Sequence, residues 1–191
     1  MTTHMESFRK QLQASTAAPH LALENTRLMQ GIACGKVDVD TYRQYLVCQY
    51  RLFAPLEVQL RIWVQPDLAT TRLVKSTWLL ADLRALGCQS GGTFATVPDI
   101  TSQAHAFGVQ YVLEGSMLGL QVIKKSLPPE HPAHHHAGRF IQGNGTDTAH
   151  HWKAFLLQLE ALPQQERPQA TAAALATFGA FQREFEGVTN V

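Results

Sequence analysis

The sequence lacks any marked excess of charge: 16 Lys and Arg residues balance 15 Asp and Glu residues, and the net charge is +1 over 191 positions. No block of basic residues is long enough to follow a phosphate backbone, so we predict no nucleic-acid partner. No apolar run approaches the ~20 residues that a membrane-spanning helix needs, and residues 1–8 are polar, unlike a secretory leader. We therefore expect a cytoplasmic protein with no membrane segment.

Cysteine is also scarce. Cys34, Cys48 and Cys88 are widely spaced, odd in number and form no Cys-x-x-Cys pair, which does not fit a disulfide framework. We expect free, buried thiols. Apolar residues, by contrast, make up 45% of the chain against 16% charged residues, enough to form the core of one domain over residues 1–191.

Apolar residues recur at helical spacing along most of the chain, and no segment alternates as a strand would. The spacing predicts one bent helix or two short ones over residues 6–34, with Pro19 as the break. A second helix begins at Asp38 or Asp40, is kinked by Pro55 and is stopped by Pro66. The fold class that follows is all-α.

The second half of the chain continues this pattern. A third helix is predicted over residues 68–86 and ends at Gly87, which suits a left-handed C-terminal cap. Loops rich in small or polar residues then separate the remaining predicted helices. These cover residues 100–127, 148–162 and 168–186.

The predicted fourth helix, residues 100–127, contains three glycines, Gly108, Gly115 and Gly119. Each interior glycine costs about 1 kcal/mol relative to alanine, so a packing or functional reason is needed. Gly115 and Gly119 lie one turn apart on one face. That face allows either close packing of another helix or close approach of a flat ligand to a bare, bendable backbone.

His20 is the second notable residue. It lies in an apolar stretch, and Glu24 follows one helical turn later. A neutral imidazole is a common axial ligand of haem iron, and a carboxylate near its other nitrogen sets the tautomer. A buried structural histidine is the alternative interpretation, and His20 alone does not decide between them.

Residues 111–123, Tyr-Val-Leu-Glu-Gly-Ser-Met-Leu-Gly-Leu-Gln-Val-Ile, resemble the distal-helix signature of bacterial haem oxygenases, notably the branch associated with bacteriophytochromes. Residues 12–16 followed by His20 and Glu24 are similar to the proximal helix of that family. Residues 81–87 resemble the end of its third helix. The segment from Gly138 to Trp152 is similar to the part that follows its distal helix. The resemblance extends over nearly the whole chain, in the expected order.

The resemblance implies a single haem oxygenase-like helical bundle that opens haem to biliverdin and releases iron and carbon monoxide. Haem would be both substrate and cofactor, O₂ the oxidant, and the electrons would come from an external donor such as ferredoxin, flavodoxin or a reductase. A bacteriophytochrome is an expected acceptor of biliverdin. Iron recovery is the other context in which this reaction would serve.

The same resemblance implies roles for individual residues. His20 would be the metal ligand, with Glu24 beside it, and Gly115 and Gly119 would let the distal helix kink over the O₂ site. Ser116 could order a distal water. At the porphyrin edge, the resemblance implies Lys153 as a propionate partner, with Arg9 or Lys10 as a weaker second. Phe178 and Phe181 would form a wall there, or they are plain core.

Two departures from the family's pattern bear on activity. Leu120 stands where the family usually has glycine or another small residue, and Gln13 replaces a usual arginine. If the side chain of Leu120 fills the space above haem, the protein would be an inactive relative, with or without haem. A thiaminase-like or cofactor-synthesis enzyme on a related helical fold is a third hypothesis, disfavoured because no cysteine lies beside the segment of His20.

The histidines of the loop after the fourth predicted helix could bind a transition metal, but adjacent histidines on a loop more often form a solvated surface. These are His131, His134, His135 and His136. His150 and His151 lie at the start of a predicted helix and give no stronger signal. We therefore expect no metal other than haem iron.

Overall fold

The computed structural model describes residues 7–33, 37–89 and 91–188, and these residues contain helices and loops but no strand. The all-α prediction is confirmed. The helices are α1 (Phe8–Glu24), α2 (Arg27–Ala33), α3 (Val39–Leu60), α4 (Pro66–Arg72), α5 (Lys75–Ala85), α6 (Gln103–Ser126), α7 (Arg139–Gln142), α8 (Thr148–Glu160) and α9 (Arg167–Glu186). Short 3₁₀ turns cover Pro132–His134, Gly145–Asp147 and Gln164–Glu166.

The first predicted segment is two helices, but the break does not lie at Pro19, so that expectation was wrong. Pro19 lies inside α1, and the carbonyl that it leaves unpaired belongs to Ser15, an exposed residue that water can reach. The chain turns instead at Asn25, which caps α1, and at Thr26, whose hydroxyl accepts from the backbone N–H of Met29. Local capping, rather than the proline, sets the boundary.

The predicted helix over residues 68–86 is also divided, into α4 and α5. The break occurs because the carboxylate of Glu57, on α3, accepts from the backbone N–H groups of Lys75 and Ser76 and so begins a new helix there. Gly87 has a φ of +82° and ends α5 as predicted. The N-cap of α3 is Asp38, which accepts from the backbone N–H of Thr41.

Helix α9 packs against both helices that carry predicted site residues, α1 and α6. Helix α6 crosses it so closely at Gly108 that a Cβ there would lie 2.1 Å from the carbonyl oxygen of Ala170. Helix α1 packs along α9 as well, whereas α1 and α6 make little direct contact with each other. The two helices that carry the predicted site are therefore held by a common neighbour.

Glu160, at the end of α8, caps the N-terminus of α1. Its carboxylate accepts from the backbone N–H of Phe8 at 3.0 Å and of Arg9 at 2.8 Å, which satisfies two amides that a helix start leaves unpaired. The guanidinium of Arg167 lies over the ring of Phe8, 5.2 Å from its centroid. The start of α1 is thus fixed by residues of α8 and α9.

Two of the three cysteines lie in the described part of the chain. Cys48 is buried and Cys88 is partly buried, and neither forms a disulfide. Cys34 lies outside the described residues. As for membrane insertion, none of the described helices has both the length and the apolar character that a bilayer crossing requires.

The crossing at Gly108 generates a stability prediction. Gly108→Ala should lower the free energy of unfolding by about 1–3 kcal/mol, the usual cost of overpacking. This cost exceeds the gain in helix propensity of about 1 kcal/mol. Gly119→Ala is the matched control, because a Cβ at Gly119 would meet nothing within 4 Å. It should raise the free energy of unfolding by up to about 1 kcal/mol.

Urea denaturation followed by circular dichroism measures both effects. A Gly108→Ala protein as stable as the wild type would show that α6 and α9 can separate at no cost. Equal destabilisation by the two alanines would show that the difference in space between the two glycines has no energetic consequence.

Candidate functional site

His20 lies in the last turns of α1 with its side chain 58% exposed. Its ring packs edge-on against that of Phe178 on α9, with the centroids 5.7 Å apart. Its Nδ1 lies 3.5 Å from a carboxylate oxygen of Glu24. No described residue hydrogen-bonds its Nε2. The structure therefore orients this imidazole through Phe178 and Glu24 and leaves one nitrogen available to a ligand.

The two glycines of the α6 signature differ in their surroundings. A Cβ on Gly115 would make ordinary contact, at 3.6 Å, with the indole of Trp152 on α8, whereas one on Gly119 would point into open space. Neither is the tight helix-packing glycine of α6, which is Gly108. The sequence left two interpretations of this glycine pair, close helix packing or the approach of a flat ligand. The open space at Gly119 fits the approach of a flat ligand.

Exposed apolar side chains occur on both helices. Leu21, next to His20 on α1, is 58% exposed, and Val122, one turn after Leu118 on α6, is 71% exposed. Exposed apolar side chains near a glycine that faces open space are typical of a surface that a ligand covers. An available imidazole nitrogen, a bare helix face and apolar neighbours suit a flat macrocycle with a central iron, so the residues present fit haem.

The hydroxyl of Ser116, between the two glycines, donates to the backbone carbonyl of Leu113 at 2.8 Å. Its oxygen keeps lone pairs that can still accept from a water. The structure thus ties the donor of this hydroxyl to its own helix and leaves the acceptor free.

Leu120 lies in the core, 1% exposed, and its Cδ1 would be 3.7 Å from a Cβ on Gly143, in the turn that follows α7. Sequence inspection left open whether this side chain narrows the haem pocket or packs inside the protein. Its position in the core favours packing.

The other predicted residues are not gathered at His20. Phe181 is buried and contacts Phe53 and Phe185, within the packing of α3 and α9. Lys153 is exposed on α8 and has no ion pair with a described residue. Gln13 is exposed on α1. Of the predicted set, His20 contacts both Glu24 and Phe178.

The loop histidines are not uniformly solvated, so that expectation was wrong for His131. This side chain is buried: its Nδ1 accepts from the backbone N–H of Ala133, and its ring packs edge-on against Tyr42. Burial lowers its pKa, which keeps the ring neutral. His135 and His136 are exposed, and no group of three metal-ligating side chains occurs in residues 7–33, 37–89 and 91–188.

Sequence reasoning missed a group of polar side chains on α5 that supports α6 and α7. The Nζ of Lys75 lies 3.5 Å from a carboxylate oxygen of Glu114, and both residues are buried. Seven residues later, Asp82 accepts from the backbone N–H groups of Arg139 at 2.8 Å and Phe140 at 2.7 Å. The available signal was that Lys75 and Asp82 share the buried face of α5 with apolar residues.

Arg139 links α5 to the turn at Gly143, against which Leu120 packs. Its guanidinium lies 3.6 Å from the ring centroid of Trp78 on α5, and it donates to the carbonyl of Gly143 at 2.8 Å. The turn against which Leu120 packs is therefore fixed to α5.

Comparison with known proteins agrees with this geometry. The family model described as "Heme oxygenase" matches residues 6–187. A protein named heme oxygenase from Xanthomonas campestris pv. campestris (strain 8004) is 35% identical over 164 residues, covering 81% of this chain and 94% of that protein.

Solved structures share the fold. The haem oxygenase of Leptospira interrogans superposes with a TM-score of 0.74 at 19% identity, over 96% of this chain and all of that one (100%). The NO- and CO-bound haem oxygenase of Neisseria meningitidis gives 0.73 at 23% identity, over 97% and 94%. Haem oxygenase-1 of Synechocystis sp. PCC6803, solved in complex with haem, gives 0.68 at 15% identity, over 94% and 91%.

The bacterial haem oxygenase resemblance is thus confirmed at the level of the family, while the bacteriophytochrome branch stays a prediction. The family match extends over nearly the whole chain, and the residues around His20 and Gly119 suit haem. The chain belongs to the haem oxygenase family of enzymes.

Proposed function

We propose that the protein opens haem to biliverdin, with release of iron and carbon monoxide, using O₂ and electrons from ferredoxin, flavodoxin or a reductase. The observation that carries the proposal is that α1 and α6 lie on the same support, α9. One presents the available imidazole of His20, and the other presents the bare backbone of Gly119. When bound, haem supplies both the carbon skeleton that is cleaved and the iron at which O₂ reacts.

On the proximal side, His20 binds the iron through Nε2. Glu24 lies on the Nδ1 side, and there it favours the tautomer with the proton on Nδ1. Both side chains are more than half exposed, so solvent weakens this interaction until haem covers it. Phe178 holds the ring plane from α9.

On the distal side, Gly119 would let the backbone of α6 approach the porphyrin plane, because it adds no side chain there. Gly115, whose Cβ direction meets Trp152, would let the helix kink over the O₂ site. Ser116 orders a water through its free lone pairs. Phe178 forms the wall at the porphyrin edge, and Phe181 supports the same helix from the core. Lys153, on α8, pairs with a haem propionate. It has no ion pair with a described residue, and it directly follows Trp152, the residue next to Gly115.

We further propose that residues 1–191 act as one domain in the cytoplasm and that biliverdin passes to an acceptor such as a bacteriophytochrome. The family match over residues 6–187 supports a single domain, and the similarity of residues 111–123 to the branch associated with these photoreceptors supports the acceptor. The alternative of a cysteine-dependent enzyme is weakened at Cys48, because burial raises the pKa of this thiol to about 12 and removes the nucleophilic thiolate at neutral pH.

Removal of the proximal ligand is the direct test. His20→Ala should change the visible absorption spectrum of the hemin complex at equal haem occupancy, because the iron loses its imidazole. The matched control is His150→Ala, which removes an exposed histidine on α8 and should leave the spectrum unaltered. A His20→Ala spectrum identical to that of the wild type would remove His20 from the assignment.

The propionate contact is tested separately. Lys153→Ala should weaken hemin binding by no more than about five-fold, since a solvated ion pair contributes about 1 kcal/mol. It should also alter the ratio of biliverdin isomers, because the edge contact orients the ring. Lys125→Ala, an exposed lysine on α6, is the control. An affinity and an isomer ratio unchanged by Lys153→Ala would rule out the contact.

Leu120 distinguishes an active enzyme from an inactive relative. Since its side chain is buried in the core, Leu120→Ala should lower the free energy of unfolding by about 2–5 kcal/mol. It should leave hemin affinity within about three-fold of the wild type, the scatter expected of a site that it does not touch. Titration with hemin and chemical denaturation measure the two effects. A truncation that creates or strongly improves hemin binding would instead show that leucine blocks the pocket.

A further inference from the structure

Three charged side chains meet inside the protein, where α3, α5 and α6 pack together. Glu57 and Lys75 are each 2% exposed, and Glu114 is 5% exposed. A buried charge is costly unless it is paired and hydrogen-bonded. The proposed reaction involves none of these groups, so their burial needs another explanation.

Glu57 fixes the start of α5 to α3. Its carboxylate accepts from the backbone N–H of Lys75 at 2.7 Å, from that of Ser76 at 3.2 Å and from the hydroxyl of Ser76. A carboxylate at this end of a helix also interacts favourably with the helix dipole. Burial raises the pKa of Glu57, whereas these hydrogen bonds lower it. The position of Lys75 relative to α3 is thereby set.

Lys75 in turn links α5 to α6. Its ammonium group donates to the backbone carbonyl of Arg72 and lies 3.5 Å from the carboxylate of Glu114. Glu114 immediately precedes Gly115. The ion pair therefore acts on α6 at the point where the glycine segment begins.

At the glycine segment itself, α6 is held by the buried side chains of Met117 and Leu120 and by Gln121, which donates to the carbonyl of Gln142 at 3.3 Å. The tight contact at Gly108 lies two turns earlier, and Gly119 has no side chain and faces open space. Apolar contacts are non-directional, whereas an ion pair between two defined groups restrains both rotation and sliding of a helix.

We propose that Lys75 is a positioning residue. Acting through Glu114, it sets the rotation and axial placement of the glycine segment, residues 115–119, relative to His20 and so the seating of haem. This inference rests on the proposed function.

Three variants separate positioning from stability. Lys75→Met leaves the carboxylate of Glu114 buried and unpaired. Lys75→Met/Glu114→Leu removes both charges and relieves that cost, so stability should return toward that of the wild type. Glu114→Gln is the mildest change, because it keeps the shape of the side chain and removes only its charge.

The matched control is Arg51→Met/Glu184→Leu. These residues form the ion pair between α3 and α9, 2.9 Å between Nη1 and Oε1, and do not touch α6. Like the double variant at Lys75 and Glu114, this control exchanges an inter-helix ion pair for apolar side chains.

The first measurement is hydrogen exchange in the haem-free protein. In Lys75→Met and in the double variant, backbone amides of residues 114–120 should exchange about ten-fold faster, with α1 amides unchanged. The second is the hemin complex. The double variant should release hemin about ten-fold faster and change its biliverdin isomer ratio, since both depend on the placement of the distal helix. Glu114→Gln should change the rate of hemin release and the biliverdin isomer ratio in the same direction as the double variant.

A double variant with wild-type exchange at residues 114–120, wild-type hemin release and a wild-type isomer ratio would overturn the inference and leave the ion pair a stability element. The same conclusion holds if Arg51→Met/Glu184→Leu produces equal changes. If Lys75→Met does not fold, the double variant and Glu114→Gln decide. Failure of the proposed function is a separate result, since it appears in the wild type as a hemin spectrum that does not depend on His20.

Discussion

The crossing of α6 and α9 at Gly108 is the contact on which the arrangement of the site depends. Because the two backbones touch there, α6 cannot move away from α9 without losing that packing. Helix α1 rests on the same α9 and presents His20 against Phe178. The two helices that carry His20 and the glycine segment therefore both pack on a third helix, while they make little direct contact with each other.

Much of the fold could be predicted from the sequence, because helical periodicity and caps are local. The long α6 and α9, the cap at Asp38 and the left-handed Gly87 all follow from residues next to them in the chain. The division between α4 and α5 could not be predicted, since it is made by Glu57, a residue of another helix. Such a cap depends on tertiary packing and leaves no local signature.

Local sequence patterns predict only part of the candidate site. Three glycines in α6 look alike in the sequence, yet one contacts a backbone, one contacts an indole and one faces open space. Spacing places residues on a common face but does not say what that face meets. The pair of Lys75 and Glu114 was missed for a related reason, because a lysine in a helix normally indicates a solvated position.

The capping of α1 by Glu160 also has a consequence for synthesis on the ribosome. The first turn of α1 receives its two hydrogen bonds from a residue that lies about 150 positions later in the chain. Translation at 5–20 residues per second, a typical range, delays that residue by roughly eight to thirty seconds. During this interval α9, on which α1 packs, has not been made either. Helix α1 is synthesised before the two helices on which it depends, so its apolar residues remain available to chaperones until α8 and α9 follow.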